Sequence, residues 1–286
     1  MIAAAATVEV RAALATAAPA GVEVRVAAPD ALDGVDFVVI DSDAVLEALP
    51  SSGVSVVQVL SAGTEWVEPS VPTSAVLCNA RGARDAPVAE WVVGALLGSV
   101  TGLLAGARRS TWVRHTPGEL LGATVLILGH GSIGRAVEAR LAPFGVSVIG
   151  VGRGRLGELP DLLPRADAVV VLAPLTDATR GMVDAAFLGR MRDGALLVNA
   201  GRGAVVDTVA LVAELSAGRL RAVLDVTDPE PLPDGHPLWS LCEAITPHHA
   251  GDSDEADVRA RRFAGEQLAR YARGEDLLNV VPAAGR

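Results

Sequence analysis

Short β-branched apolar runs alternate with Ala/Leu-rich stretches of helical length along most of the chain, which is the pattern of βα units building a parallel sheet. A first set of runs covers residues 21–27, 36–40, 54–60 and 75–79, with a poorly marked strand ahead of them at 2–6. These runs are too continuously apolar to leave one face in water, so they predict strands covered on both sides. A second set covers residues 124–128, 146–151, 168–172, 195–199, 222–225 and 244–246. Six strands with helices between them predict a complete doubly wound sheet. Residues 86–107 are apolar and free of proline after Pro87, predicting one long helix that crosses from one domain to the other. The charged stretch 253–273 predicts a helix that returns to the first domain.

Composition changes this picture only by exclusion. At 286 residues, half of them apolar and a fifth charged, the chain has the makings of two ordinary globular domains. Its formal charge of -10 argues against a nucleic-acid partner, because binding a phosphate backbone rests on a positive surface. Cys78 and Cys242 are the only cysteines and sit in no Cys/His cluster, so neither a disulfide framework nor a metal site is expected. The Ala-rich N-terminus carries Glu9 and Arg11 inside its apolar run and no basic residue before it. It therefore reads as structure rather than an export signal. No run reaches the roughly 18–20 apolar residues of a membrane span. The expectation is a cytoplasmic protein with a small-molecule partner.

The strongest local signal is TVLILGHGSIG, where Gly129, Gly131 and Gly134 follow a strand and open a helix, with Ser132 and Ile133 between them. The first glycine permits the tight turn, the second lets a pyrophosphate approach the backbone, and the third lets helix pack on strand. Helix N-terminal amides then hold the anion without a lysine or arginine. At the end of the next strand, GVGRGR puts Gly152 where a ribose-binding carboxylate is expected, followed by Arg153 and Arg155. An arginine there pairs with a 2′-phosphate, so the expected cofactor is NADP(H) in preference to NAD(H). The competing reading makes both arginines solvated loop residues.

Three polar islands, NAGRG with Arg202, DVTDPEPL with Asp225 and Glu230, and TPHHAG with His248, each lie just past a predicted strand of the second set. Ligands of open α/β sheets bind outside the carboxyl ends of the strands. Taken singly, a surface ion pair, a loop carboxylate and a core histidine would account for them. Together they supply the parts that reduction of a 2-keto acid requires. A guanidinium grips the carboxylate and polarises the carbonyl, a histidine donates and takes back a proton, and a carboxylate stabilises and orients the imidazolium.

These motifs, with APLTDATRGMVDAAFLGRMRDGALLVNAGRG, AVLDVTDPEPLPDGHPLW and TPHHAG in order and spacing over most of residues 118–252, resemble the D-isomer-specific 2-hydroxyacid dehydrogenases. VVQVLSAGTEWV and VAEWVVGALL extend the resemblance more faintly toward the N-terminus. The resemblance implies a Rossmann doubly wound cofactor domain at 89–253. It also implies a smaller flavodoxin-like parallel α/β substrate domain at 1–88 and 254–286. It makes Arg202 the ligand of substrate carboxylate and carbonyl, His248 the acid/base, Glu230 its partner and Asp225 a contact of the nicotinamide end. Ser61, Ala62 and Gly63 match the substrate-carboxylate turn. Ala173, Pro174, Ala200, Gly201, Ala250 and Gly251 line the cofactor. Ala173 departs from the histidine common before PLT, and only the TPH match separates His248 from His249. A homodimer is implied, with the helix at 86–107 as its interface. Two other readings remain open on the same fold: a nucleotide-sensing binding protein or corepressor, and an enzyme of the formate or phosphite type.

Overall fold

The computed structural model describes residues 1–27, 32–112, 114 and 116–282. In chain order its elements are β1 (Ile2–Ala5), α1 (Val8–Ala17), β2 (Glu23–Val26), β3 (Phe37–Ile40), β4 (Val56–Val59), β5 (Val76–Cys78), α2 (Asp85–Val100), α3 (Leu103–Ala107), β6 (Thr124–Leu128), α4 (Ser132–Leu141), β7 (Ser147–Val151), α5 (Leu159–Leu162), β8 (Ala168–Val171), α6 (Ala185–Arg190), β9 (Leu196–Asn199), α7 (Thr208–Ser216), β10 (Arg221–Leu224), α8 (Leu238–Leu241), β11 (Ala244–Ile245) and α9 (Asp254–Ala272). They form two compact units, residues 1–84 with 252–286, and residues 85–251.

The first unit is a parallel sheet in the order β2-β1-β3-β4-β5, the flavodoxin-like arrangement. The weakly marked N-terminal run is its central strand, pairing β2 on one side and β3 on the other. Its alanines are fully buried. Ala3 and Ala5 face Val10 and Leu14 of α1 and Ala260, Ala264 and Leu268 of α9. Over this strand α1 and α9 pack closely: a Cβ on Gly265 of α9 would lie 2.8 Å from the Cβ of Ala17. Helix α9 starts where Ser253 caps the N–H of Ala256, and it belongs to this unit.

The second unit is a six-stranded parallel sheet in the order β11-β10-β9-β8-β6-β7. The usual Rossmann order places two strands beyond the first; here β7 alone lies outside β6. The chain leaves β7 through a 3-10 segment, Arg153–Glu158, and the four-residue α5 rather than through a full helix and a third strand. The order still reverses between β7 and β8 on either side of β6, which is where such sheets bind ligands.

The single helix predicted over residues 86–107 is two. Gly102 takes φ 72° and splits it into α2 and α3, a conformation that glycine alone adopts at little cost. Val88, Ala89, Val92 and Leu96 of α2 are buried in the core with Val125 and Ile127 of β6. Both cysteines are free and buried. Burial pushes the Cys78 thiol up to about 11 and the Cys242 thiol up to about 12, so both stay protonated near neutral pH. Among the described residues no helix is long and apolar enough to cross a membrane.

Candidate active site

The turn between β6 and α4 divides its three glycines by task. Gly129 has φ 99°, and a Cβ there would lie 2.5 Å from the Ala173 nitrogen and the Leu172 carbonyl carbon. Gly134 approaches the Gly129 carbonyl so closely that a Cβ would be 2.8 Å from its oxygen. A Cβ on Gly131 would meet nothing within 4 Å. The first and third glycines are thus required by the protein's own backbone, whereas the middle one leaves room in front of the helix. Gly131 is the N-cap of α4 and supplies no side-chain cap, leaving the first amides and the positive end of the helix dipole for an anion. The Ser132 hydroxyl donates to Asp85 at the start of α2. The groups present fit a dinucleotide pyrophosphate.

Ala173 links two loops. Its nitrogen abuts Gly129, while a Cβ on Gly201 would sit 3.1 Å from its carbonyl oxygen. With Pro174, Gly152 and Arg153 it lines a shallow pocket beside Gly129. The two arginines of GVGRGR have different surroundings, which changes the reading of Arg155. In the 3-10 segment, three residues place Glu158 under Arg155, whose Nε and Nη2 donate to its carboxylate at 3.0 and 2.7 Å. That pairing holds the Glu158 carboxyl below its ordinary range. Arg155 Nη1 donates to the Gly150 carbonyl at 2.7 Å. Arg155 is therefore a brace of the loop. Arg153 is exposed and engages no partner among the described residues.

The NAGRG turn is held by a residue that pattern reading passed over. Asn199, the last residue of β9, is 1 % exposed; its side chain donates to the Arg202 carbonyl at 3.1 Å and accepts from the Gly201 N–H at 3.1 Å. A Cβ on Gly203 would come within 1.9 Å of the Thr227 carbonyl oxygen, so that glycine is what lets the NAGRG and DVTDPEP loops touch. Both signals stood in the sequence, as an amide ending an apolar strand and a second glycine after Arg202. The Arg202 guanidinium lies back on its own loop, Nη1 donating to the Gly201 carbonyl at 2.8 Å.

Asp225 and His248 form the tightest part of the site. Asp225 directly follows β10 and is 3 % exposed. Its Oδ1 accepts from the Thr246 hydroxyl at 2.6 Å and the His249 N–H at 3.0 Å, and its Oδ2 accepts from the Ala250 N–H at 3.0 Å. Its carbonyl accepts from the His248 N–H at 2.8 Å. The residue expected to contact the nicotinamide end is thus seen as the anchor of the TPHHAG loop. That anchoring explains how His248 is kept at φ 52°, a left-handed conformation costing a non-glycine residue on the order of 1 kcal/mol or more. His248 Nδ1 lies 2.6 Å from Glu230 Oε1, while His249 has no comparable carboxylate partner among the described residues. With Nδ1 turned to Glu230, Nε2 is the nitrogen left for a substrate proton. Both side chains are a little under half exposed.

In the first unit, Ser61, Ala62 and Gly63 form a turn beyond β4. The Ser61 hydroxyl donates to the Gly63 carbonyl at 2.6 Å, and the Asn79 side chain donates to the Ala62 carbonyl at 2.8 Å. Leu60, Ser61, Trp66, Arg84 and Arg261 line a pocket at this end of the sheet.

Residues 95–251 match the family model described as D-isomer specific 2-hydroxyacid dehydrogenase, NAD binding domain. Over 176 residues, 57% of this chain and 52% of the relative, the sequence is 39% identical to a glyoxylate reductase of Aeropyrum pernix. The aligned segments span 37% to 52% of the phosphoglycerate, formate and glyoxylate enzymes named among its relatives. Among solved structures, a D-isomer specific 2-hydroxyacid dehydrogenase family protein of Aeromonas salmonicida superposes with a TM-score of 0.88 at 26% identity, covering 98% of both chains. An NADPH-dependent glyoxylate/hydroxypyruvate reductase of Sinorhizobium meliloti, solved with NADP and sulfate, gives 0.84 at 28% identity over 99% of this chain and 98% of the other. With the two sheets, the glycine turn and the histidine–glutamate pair in place, this chain belongs to the D-isomer specific 2-hydroxyacid dehydrogenases, a family of nicotinamide-dependent oxidoreductases.

Proposed function

We propose that this protein reduces a small 2-keto acid to the D-2-hydroxy acid, using NADPH in preference to NADH, as a glyoxylate or hydroxypyruvate reductase does. The observation that carries the reading is the His248–Glu230 pair, 2.6 Å apart on a loop fixed by a buried aspartate, in the unit whose sheet also presents the open GHGSIG turn. A bound reduced nicotinamide supplies the hydride. His248 gives the proton from Nε2 to the carbonyl oxygen as the carbonyl carbon is reduced, and takes it back in the reverse direction. Glu230 holds the ring by Nδ1 and stabilises its cationic form. Arg202 swings from its own loop to grip the carboxylate with two parallel hydrogen bonds, and Ser61, Ala62 and Gly63 offer backbone N–H groups to the same kind of anion. Arg153 pairs with the 2′-phosphate, and Gly152 leaves room for it where a carboxylate would repel it.

We also propose a cytoplasmic homodimer. The apolar face of α2 is largely consumed by its own core, which shifts the candidate interface to Leu103, Trp112 and Leu121, all strongly exposed on the second unit. Sedimentation giving a monomer would remove that part. The reading as a whole is tested by following nicotinamide absorbance with a panel of 2-keto acids and both cofactors. Turnover of glyoxylate or hydroxypyruvate with NADPH supports it. Cofactor binding without turnover of any keto acid would favour a sensing role.

A further inference from the structure

Gly150 is the penultimate residue of β7, the edge strand of the second sheet, where it pairs with Ile127. A Cβ at this position would lie 2.6 Å from Cγ and Cδ2 of His130 and 2.8 Å from its Nδ1. The imidazole therefore occupies the space that any side chain at residue 150 would need. Its Nε2 donates to Glu138 Oε2 at 2.8 Å, so the ring is keyed into the strand and latched to α4. The turn itself needs only a residue between Gly129 and Gly131, and a small one would serve. What a histidine adds is a rigid wedge with one directed hydrogen bond.

The end of β7 is held from three directions. The GHGSIG turn reaches it through the Gly129 N–H, which donates to the Val151 carbonyl at 2.9 Å. Helix α4 reaches it through Glu138 and His130. The 3-10 segment reaches it through Arg155, which donates to the Gly150 carbonyl. Arg153 emerges just beyond this clamped stretch, exposed and beside Gly129, Gly152 and Ala173. An edge strand has a neighbour on one side only, so its last residues move unless side chains fix them. An unpaired arginine on a moving anchor loses more freedom when it binds a phosphate.

We propose that His130 is a positioning residue for cofactor selection: wedged against Gly150 and latched by Glu138, it fixes the end of β7 so that Arg153 meets the 2′-phosphate at low entropic cost. The inference rests on the NADPH reading above. It gives the two cofactors different sensitivities, because NADH has no 2′-phosphate for Arg153 to meet.

The test is steady-state kinetics with both cofactors on the full chain. His130→Ala raises KM for NADPH by about tenfold, the size of one weakened charge-assisted contact, with KM for NADH and kcat within about twofold. Gly150→Ala, which drives a methyl into the ring, gives the same selective loss. The double variant His130→Ala with Gly150→Val refills the gap from the strand side and recovers most of the NADPH affinity, an outcome that simple destabilisation does not produce. Thermal melts of all three variants report folding. Equal losses for both cofactors, no loss for either, or no recovery in the double variant would overturn the proposal. Arg153→Ala separates the two layers. If it leaves the NADPH-to-NADH ratio unchanged, the NADPH reading itself has failed. If it shifts the ratio while His130→Ala does not, only the role of His130 has failed.

Discussion

The two sheets share the order of their first five strands, and the helices that follow their first strands start from equivalent places. In the first unit α1 leaves β1 between β2 and β3; in the second α4 leaves β6 between β7 and β8. Their N-termini nevertheless have opposite fates. Thr7 caps α1, accepting from the Val10 N–H, and its hydroxyl donates to Asp41 at 2.9 Å. That helix end is capped by its own side chain, so fewer of its amides are left for an anion. Gly131 caps α4 with no side chain and with open space before it. The histidines follow the same division: all five lie within residues 85–251. Two similar sheets thus differ in the residues at their strand ends, which cap one helix and leave the other without a side-chain cap.

The sharpest break in that contrast comes from removing the proton carrier. His248→Ala is expected to lose roughly 100- to 10,000-fold in turnover while cofactor titration stays near the wild-type affinity, and His249→Ala to change kcat by less than about twofold. Wild-type turnover in His248→Ala would move the acid/base role elsewhere. Next in size, Gly131→Asp gives α4 a side-chain cap, as α1 has, and puts a carboxylate where the anion is proposed to bind. Cofactor affinity should fall by about 100-fold or more through repulsion and lost space, with Tm held or slightly raised by the cap. A variant that bound cofactor normally would show that the α4 N-terminus is not the anion site. Glu230→Gln keeps a hydrogen-bonding group at Nδ1 but not the charge, so kcat should drop by about 10- to 100-fold, between the two histidine variants, with KM for cofactor unchanged. The smallest effect is on the side without chemistry: Thr7→Ala should cost about 1 kcal/mol of stability in denaturant unfolding and leave both KM values alone.

Much of this was legible in the chain. The six runs of the second set and the four of the first fall on strands, the three glycines stood out by type and spacing, and Glu230 and His248, singled out by the family resemblance, lie 2.6 Å apart. The central strand β1 was hard to read because Ile2–Ala5 is almost all alanine, whose small size serves close helix packing and leaves no β-branched signature. The break at Gly102 was hidden by apolar residues on both sides of it. Arg153 and Arg155 looked alike as neighbours in one loop. Their difference depends on a 3-10 segment that brings Glu158 under only one of them.

What the sequence determined by itself was therefore whatever follows from local chemistry and period: parallel α/β architecture, a glycine turn between a strand and a helix, and the family to which the ordered motifs belong. The tertiary structure decided what depends on residues distant in sequence meeting in space. It made Asp225 the anchor of a loop more than twenty residues on, since a buried carboxylate must satisfy both oxygens wherever donors can be found. It packed Ala173 against two glycine loops, and it set His130 into the space above Gly150. Such contacts arise because close packing leaves no room for a side chain where two backbones or a ring already stand, and no spacing along a single chain records which distant residue will stand there.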